Sequence, residues 1–105
     1  MAATDTTRVA DRSANGPRLV LRLYVAGSAP NSVRAIANTR AFCDERFKSA
    51  YDLEIVDLLT HPQNALADGI IVTPTLLRLQ PLPVRRLIGN LSDTNQLRLA
   101  LAGGQ

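Results

Sequence analysis

The chain holds one cysteine, Cys43, and one histidine, His61, and the chemistry open to them is narrow. A redox or nucleophilic thiol must be a thiolate, and the N-terminus of a helix is where the dipole lowers a thiol pKa. The loop Gly27-Ser28-Ala29-Pro30-Asn31-Ser32, which runs into the first predicted helix, contains no sulfur. Cys43 falls mid-helix on the apolar stripe, where a cysteine behaves as a small inert hydrophobe. Thiol–disulfide exchange is therefore rejected. His61 has no second His or Cys nearby to complete a metal site. Lying directly before Pro62, it reads as a surface turn residue at a helix start. Asp57, near the end of the second predicted strand, is either a buried polar anchor or an exposed edge residue, with no catalytic partner in view. Gly27-Ser28 has neither the spacing nor the lysine of a phosphate-binding loop. No catalytic residue, metal site or cofactor is expected.

What remains is basic. Arg78, Arg85 and Arg86 lie on a predicted C-terminal hairpin, and Arg34 on the exposed face of the first predicted helix. Such charges are either ordinary solvated surface or a face that takes carboxylates, since arginine favours planar, bidentate partners.

The elements that would carry these residues follow from periodicity. Over Arg18–Val25, Leu19, Leu21, Leu23 and Val25 share one strand face, with Val20 and Tyr24 on the other, as in a central strand buried on both sides. Gly27 breaks it. Over Pro30–Lys48, Ala35, Ile36, Thr39, Phe42, Cys43 and Phe47 recur at helical spacing, opposite Arg34, Asn38, Asp44, Glu45 and Lys48. Pro30 suits the first turn, and Ser28 or Asn31 could cap it. Tyr51–Leu59 is a second strand, parallel to the first through a right-handed crossover. A short helix opens at His61-Pro62, runs to about Ala67 and stops at Asp68-Gly69. Thr75–Leu79 and Val84–Ile88 are antiparallel strands joined by Pro81-Leu82-Pro83. Gly89-Asn90 ends the hairpin. Ser92 is the expected N-cap of a last helix through about Ala102, with Leu97, Ala100 and Leu101 inward and Gly103-Gly104 as its stop. A proline opening a core strand, as in Thr73-Pro74, removes a ladder hydrogen bond, and a cis bond is the usual reason for tolerating one.

A chain of 105 residues, 46% apolar and 20% charged, is one ordinary globular domain. Residues 1–16 are polar and aperiodic and read as a disordered arm, leaving 17–105 as the domain. Aromatics are only 4% with no Trp, which argues against a stacking surface for single-stranded nucleic acid. The basic excess of +3 is dispersed arginine without a nucleic-acid motif. No signal-peptide core or membrane-length apolar run is present, and one cysteine allows no internal disulfide, so the chain is expected in the cytoplasm.

Three stretches taken together carry a resemblance. They are Leu23-Tyr24-Val25-Ala26-Gly27 with Pro30-Asn31-Ser32-Val33-Arg34-Ala35, then Thr73-Pro74-Thr75-Leu76, then Pro83-Val84-Arg85-Arg86-Leu87-Ile88-Gly89 with Leu91-Ser92. Over about residues 18–101 the chain resembles the KaiB family, whose fold is also that of the SasA sensor domain. The resemblance implies an α/β, thioredoxin-like β-α-β-α-β-β-α fold in which the Thr73-Pro74 bond is cis. The family's tetrameric alternative, with the C-terminal half rearranged, is the second fold to weigh. It implies a non-enzymatic clock or timer protein that binds the N-terminal ATPase ring of a KaiC-like ATPase, with KaiA or a SasA-like kinase in competition. Monomer, dimer and tetramer are all compatible with it. By position, Arg34, Arg78, Arg85 and Arg86 fall where the family places basic partner contacts. Thr73, Pro74, Pro81, Pro83, Gly89 and Ala100 fall in the segment that refolds. Ala100 stands where cyanobacterial members often carry Gly. Ala is favoured over Gly inside a helix by about 0.5–1 kcal/mol, which tilts this chain toward the thioredoxin-like form. The competing reading is a thioredoxin-like binding module for a different partner, such as a histidine kinase or a stress-response protein.

Overall fold

The computed structural model describes residues 19–102. The predicted arm (1–16) and the Gly103-Gly104 stop lie outside the described residues. The elements are β1 (Leu19–Val25), α1 (Pro30–Phe47), β2 (Tyr51–Asp57), α2 (Pro62–Asp68), β3 (Thr75–Gln80), β4 (Arg85–Ile88) and α3 (Thr94–Leu97), which continues as a π-helical turn over Arg98–Ala102. The sheet order is β2-β1-β3-β4, with β1 and β2 parallel and the other pairs antiparallel. This is the thioredoxin-like arrangement expected above.

β1 sits between β2 and β3, so both of its edges are paired. One face carries Leu19, Leu21, Leu23 and Val25 into the main core, with Ala35, Phe42 and Cys43 of α1, Leu76 of β3, and Leu91, Leu97, Ala100 and Leu101 from the C-terminal segment. The other face holds a smaller cluster of Tyr24, Val56 and Leu77, against which Leu58, Ile70 and Leu79 pack. The predicted stripe of α1 is the buried face, although Ile36 and Phe47 are only partly covered. Asn38, expected in solvent, is half-buried because its amide donates to the Asn90 carbonyl (2.8 Å) and ties α1 to the segment after β4.

The helix starts differ from expectation. α1 begins after Ala29 with no side-chain cap, Pro30 standing in the first turn. Ser28 and Asn31 do not cap it. The nearby hydroxyl that is used, Ser32 Oγ, accepts instead from the Ala26 amide (3.0 Å) and fastens the β1–α1 loop. At α3 the cap is Asp93, not Ser92. The Asp93 carboxylate accepts from the amides of Asn95 and Gln96 (3.0 and 3.3 Å), where a negative charge also meets the positive end of the helix. Ser92's own amide is engaged by Asn90 Oδ1.

Gly27 makes the turn out of β1 with φ +58°, and a β-carbon there would lie 2.8 Å from Leu59 Cδ1. Left-handed backbone costs a non-glycine residue about 1–2 kcal/mol, and the contact adds to it. Gly27→Ala is therefore expected to lower the unfolding free energy by at least about 1 kcal/mol in a urea titration, with an unchanged m-value.

Candidate partner-binding surface

The four arginines singled out by sequence do not form one patch. Arg34 is exposed on α1, whereas Arg85 and Arg86 are exposed on the edge strand β4. As neighbours on a strand, Arg85 and Arg86 point to opposite faces of the sheet. Arg78 must be corrected: it is 2% exposed and presents nothing to a partner in this fold. Opposite Leu21 of β1, it falls on the main-core face. Its guanidinium donates to the carbonyls of Ala100 and Pro83 (both 2.8 Å), and its Nε has no partner among the described residues. Burial lowers its pKa, and Arg85 adds to that.

Arg86 is occupied differently. Its two terminal nitrogens donate to the carbonyls of Gly69 and Asp68 (both 3.1 Å), the exposed end of α2. A cation at a helix C-terminus satisfies open carbonyls and complements the dipole. The bond fixes β4 to α2 and leads to a polar cluster that sequence reasoning missed. The Tyr24 hydroxyl donates to the Asp68 carboxylate, and Arg22 donates to Asp68 (3.0 Å) and Glu54 (2.8 Å). The Tyr24 bond lowers the Asp68 pKa most, with Arg22 and then Arg86 adding to it. Burial, then Asp68, raises the Tyr24 pKa. The Glu54 bond, aided by Asp68, raises that of Arg22 against the effect of burial. The only sequence signal was Arg22 interrupting an apolar strand.

Around this cluster the surface turns apolar. Leu66 is 85% exposed and Ile71 92%, with Val72 and Ile88 also largely exposed. The chain reverses after α2, with Gly69 and Ile70 amides bonded back to Leu66 and Ala65 carbonyls. Arg86 holds Gly69 beside β4, and Ile88, two residues on, shares the Arg86 face. Large aliphatic side chains left this exposed are the kind of surface that a partner covers.

The predicted switch residues surround β3 and β4. Thr73-Pro74 is cis, as are Gln80-Pro81 and Leu82-Pro83. Thr75 Oγ1 donates to the Val72 carbonyl (2.7 Å), and the Gly89 amide to that of Pro74 (3.0 Å). Ala100 is buried, its carbonyl held by Arg78. Asp57 falls between its two readings: half-buried at the end of edge strand β2, its Oδ1 accepts from the amides of Gly27 (3.0 Å) and Leu59 (2.9 Å). His61 is exposed at the start of α2, with Nδ1 2.8 Å from Thr60 Oγ1. Cys43 is fully buried, and burial pushes its thiol up to about 12. Among the described residues no His, Cys, Asp and Glu gather as a metal set, and no helix is long and apolar enough to cross a membrane.

Comparison with known proteins agrees with this geometry. The KaiB domain model matches residues 22–102. The circadian clock oscillator protein KaiB of Synechococcus elongatus is 46% identical over 82 residues, 78% of this chain and 80% of that protein. The Prochlorococcus marinus (strain MIT 9313) protein of the same name is 46% identical, covering 78% and 69%. Among solved structures, the N-terminal domain of Synechococcus elongatus SasA superposes with a TM-score of 0.68 at 24% identity, over 80% of this chain and 83% of that one. Fasciola hepatica thioredoxin gives 0.69 at 16% identity, over 98% and 94%. At these identities the two structures speak to the fold alone.

Two outcomes are expected. The Asp68 pKa is depressed below its ordinary value of 3.8 in the folded chain, so the stability it contributes is complete above 3.8 and is lost as pH falls through the folded pKa. Asp68→Asn should lower stability at pH 7 by about 1–2 kcal/mol and flatten the acid limb of a stability–pH curve. In the native chain Cys43 should resist a disulfide reagent at pH 8 for as long as the fold holds, and react once urea unfolds it.

Proposed function

This chain belongs to the KaiB family, and on that premise we propose that it is a non-enzymatic clock or timer protein that docks on the N-terminal ATPase ring of a KaiC-like ATPase and regulates its phosphorylation and ATPase cycle. The reading is supported most by the exposure of Leu66, Ile71, Val72 and Ile88 on and beside α2 and β4, two elements that Arg86 ties together. Aliphatic area supplies association energy, while exposed guanidinium groups supply orientation and on-rate toward a carboxylate-bearing ring. Arg34 and Arg85 are the further contacts in this proposal. KaiA or a SasA-like kinase would compete for the ring, SasA's sensor domain having the same fold. The site of action is the cytoplasm.

Binding is assigned here to the thioredoxin-like form. Where a second assembly of the same chain coexists, the affinity for the ring falls by the fraction of chain in the competent form. Ala100 in place of a family glycine favours that form, as does the arginine that holds its carbonyl.

Size-exclusion co-elution with the KaiC of the same organism, in ATP and then in ADP, tests the proposal. Nucleotide-dependent co-elution is the expected result. Absence in both states would move the function to another partner, a histidine kinase or stress-response protein included. Arg34→Glu and Arg85→Glu should each weaken binding by about tenfold or more without lowering Tm, the effect of reversing a charge that meets a carboxylate. Arg86 is less suited to this test, because its substitution also removes both bonds to the end of α2.

A further inference from the structure

α2 lies on the sheet without a buried residue of its own. Ile70, just beyond its end, packs on the Tyr24–Val56–Leu77 cluster. A helix of seven residues does not persist alone in water, because nucleation costs more than so few bonds return. Its place on the sheet therefore depends on polar bonds.

The groups that supply them come from one register row. Arg22 of β1 lies opposite Leu77 of β3, and Leu77 opposite Arg86 of β4, so both guanidinium groups rise from the same face of the sheet. Tyr24, two residues from Arg22, shares that face. Arg22 donates to the Asp68 carboxylate (3.0 Å), and Arg86 to the carbonyls of Asp68 and Gly69 (3.1 Å each). The Tyr24 hydroxyl lies against two acceptors one turn apart on α2, the Asn64 carbonyl (3.1 Å) and the Asp68 carboxylate. With one proton to give, it serves the charged acceptor best. All three side chains thus converge on Asp68. Tyr24 itself is 1% exposed, beyond the reach of a partner.

We propose that Asp68 is the positioning residue of the docking surface: seated on Tyr24 and Arg22, it holds α2, and with it the exposed Leu66, in place for the partner, and α2 opens as a unit of its own where that seat is lost. The inference rests on the docking reading above. It assigns part of the docking affinity to two residues, Tyr24 and Arg22, that act through α2.

Amide hydrogen exchange of the full chain alone compares wild type with Tyr24→Phe, Asp68→Asn and the two combined. In the wild type, α2 amides should exchange about a hundredfold faster than those of β1 and change little with low urea, since only a small surface opens. Tyr24→Phe keeps the buried ring and deletes one bond to a charged acceptor, so α2 exchange should speed up about tenfold. Asp68→Asn should do at least as much. The two together should do less than the product of both, because they share a bond. Affinity for the KaiC-like ATPase should fall in each variant by the ratio of closed fractions. A role in stability alone would lower Tm and leave the affinity of the folded chain unchanged. A shared urea dependence of α2 and β1, no acceleration in either variant, or acceleration with unchanged affinity in the double variant would overturn the positioning role. Failed binding by the wild type would overturn the docking reading instead, and exchange in the free chain would still decide whether Asp68 seats α2.

Discussion

The C-terminal half of the molecule depends on the register in which β3 pairs with β1. Leu76 lies opposite Leu23, and Arg78 opposite Leu21. Because side chains alternate along a strand, this register sends Leu76 and Arg78 into the main core, and Thr75 and Leu77 to the other face. A slip of one residue would exchange the two sets. β4 inherits its placement from β3, so Arg85 arrives opposite Arg78, and Arg86 opposite Leu77, on the face where it reaches the end of α2. The contacts that join β4 to α2 and the hairpin to the last turn both follow from that alignment.

The N-terminal half was largely legible in the sequence because its signals are local. Alternation in Leu19–Val25, helical spacing from Ala35 to Phe47 and Gly27 between them specify strand, turn and helix without reference to distant residues. The site was legible in part. Arg34, Arg85 and Arg86 are on the surface as expected, but Arg78, equally basic and on the same hairpin, is not. Its burial is decided by which strand β3 faces, a non-local property that residue type conceals. Asp68 was read as part of a helix stop, and its bonds to Tyr24 and Arg22, 44 and 46 residues away, have no local signature. The caps failed for a smaller reason: Ser92 and Asp93 both qualify, and only geometry shows that Asp93 reaches the open amides.

The molecule has a thioredoxin-like fold. The loop that enters α1 holds Pro30 and Ser32, and the cysteine that remains lies in the core with its thiol far from ionised at neutral pH. Exposed aliphatic side chains lie on and beside α2 and β4, and β4 carries two exposed arginines. Beyond the β3–β4 ladder, these elements are held by individual side-chain and loop bonds: Arg86, Tyr24 and Arg22 to α2, Arg78 to the last turn, Gly89 to Pro74. A face built this way can be ordered by what binds it, because local opening is cheapest where buried contacts are fewest.

Hydrogen exchange of the chain in complex with the KaiC-like ATPase proposed as its partner tests the central claim most directly, that the thioredoxin-like form is the one that docks. The account predicts that amides along β1 and β3, from Leu21 to Tyr24 and Thr75 to Arg78, stay protected on binding, with added protection confined to α2, β4 and the last turn. Loss of protection between β1 and β3 in the complex would show that a different arrangement of the chain binds, and would contradict it.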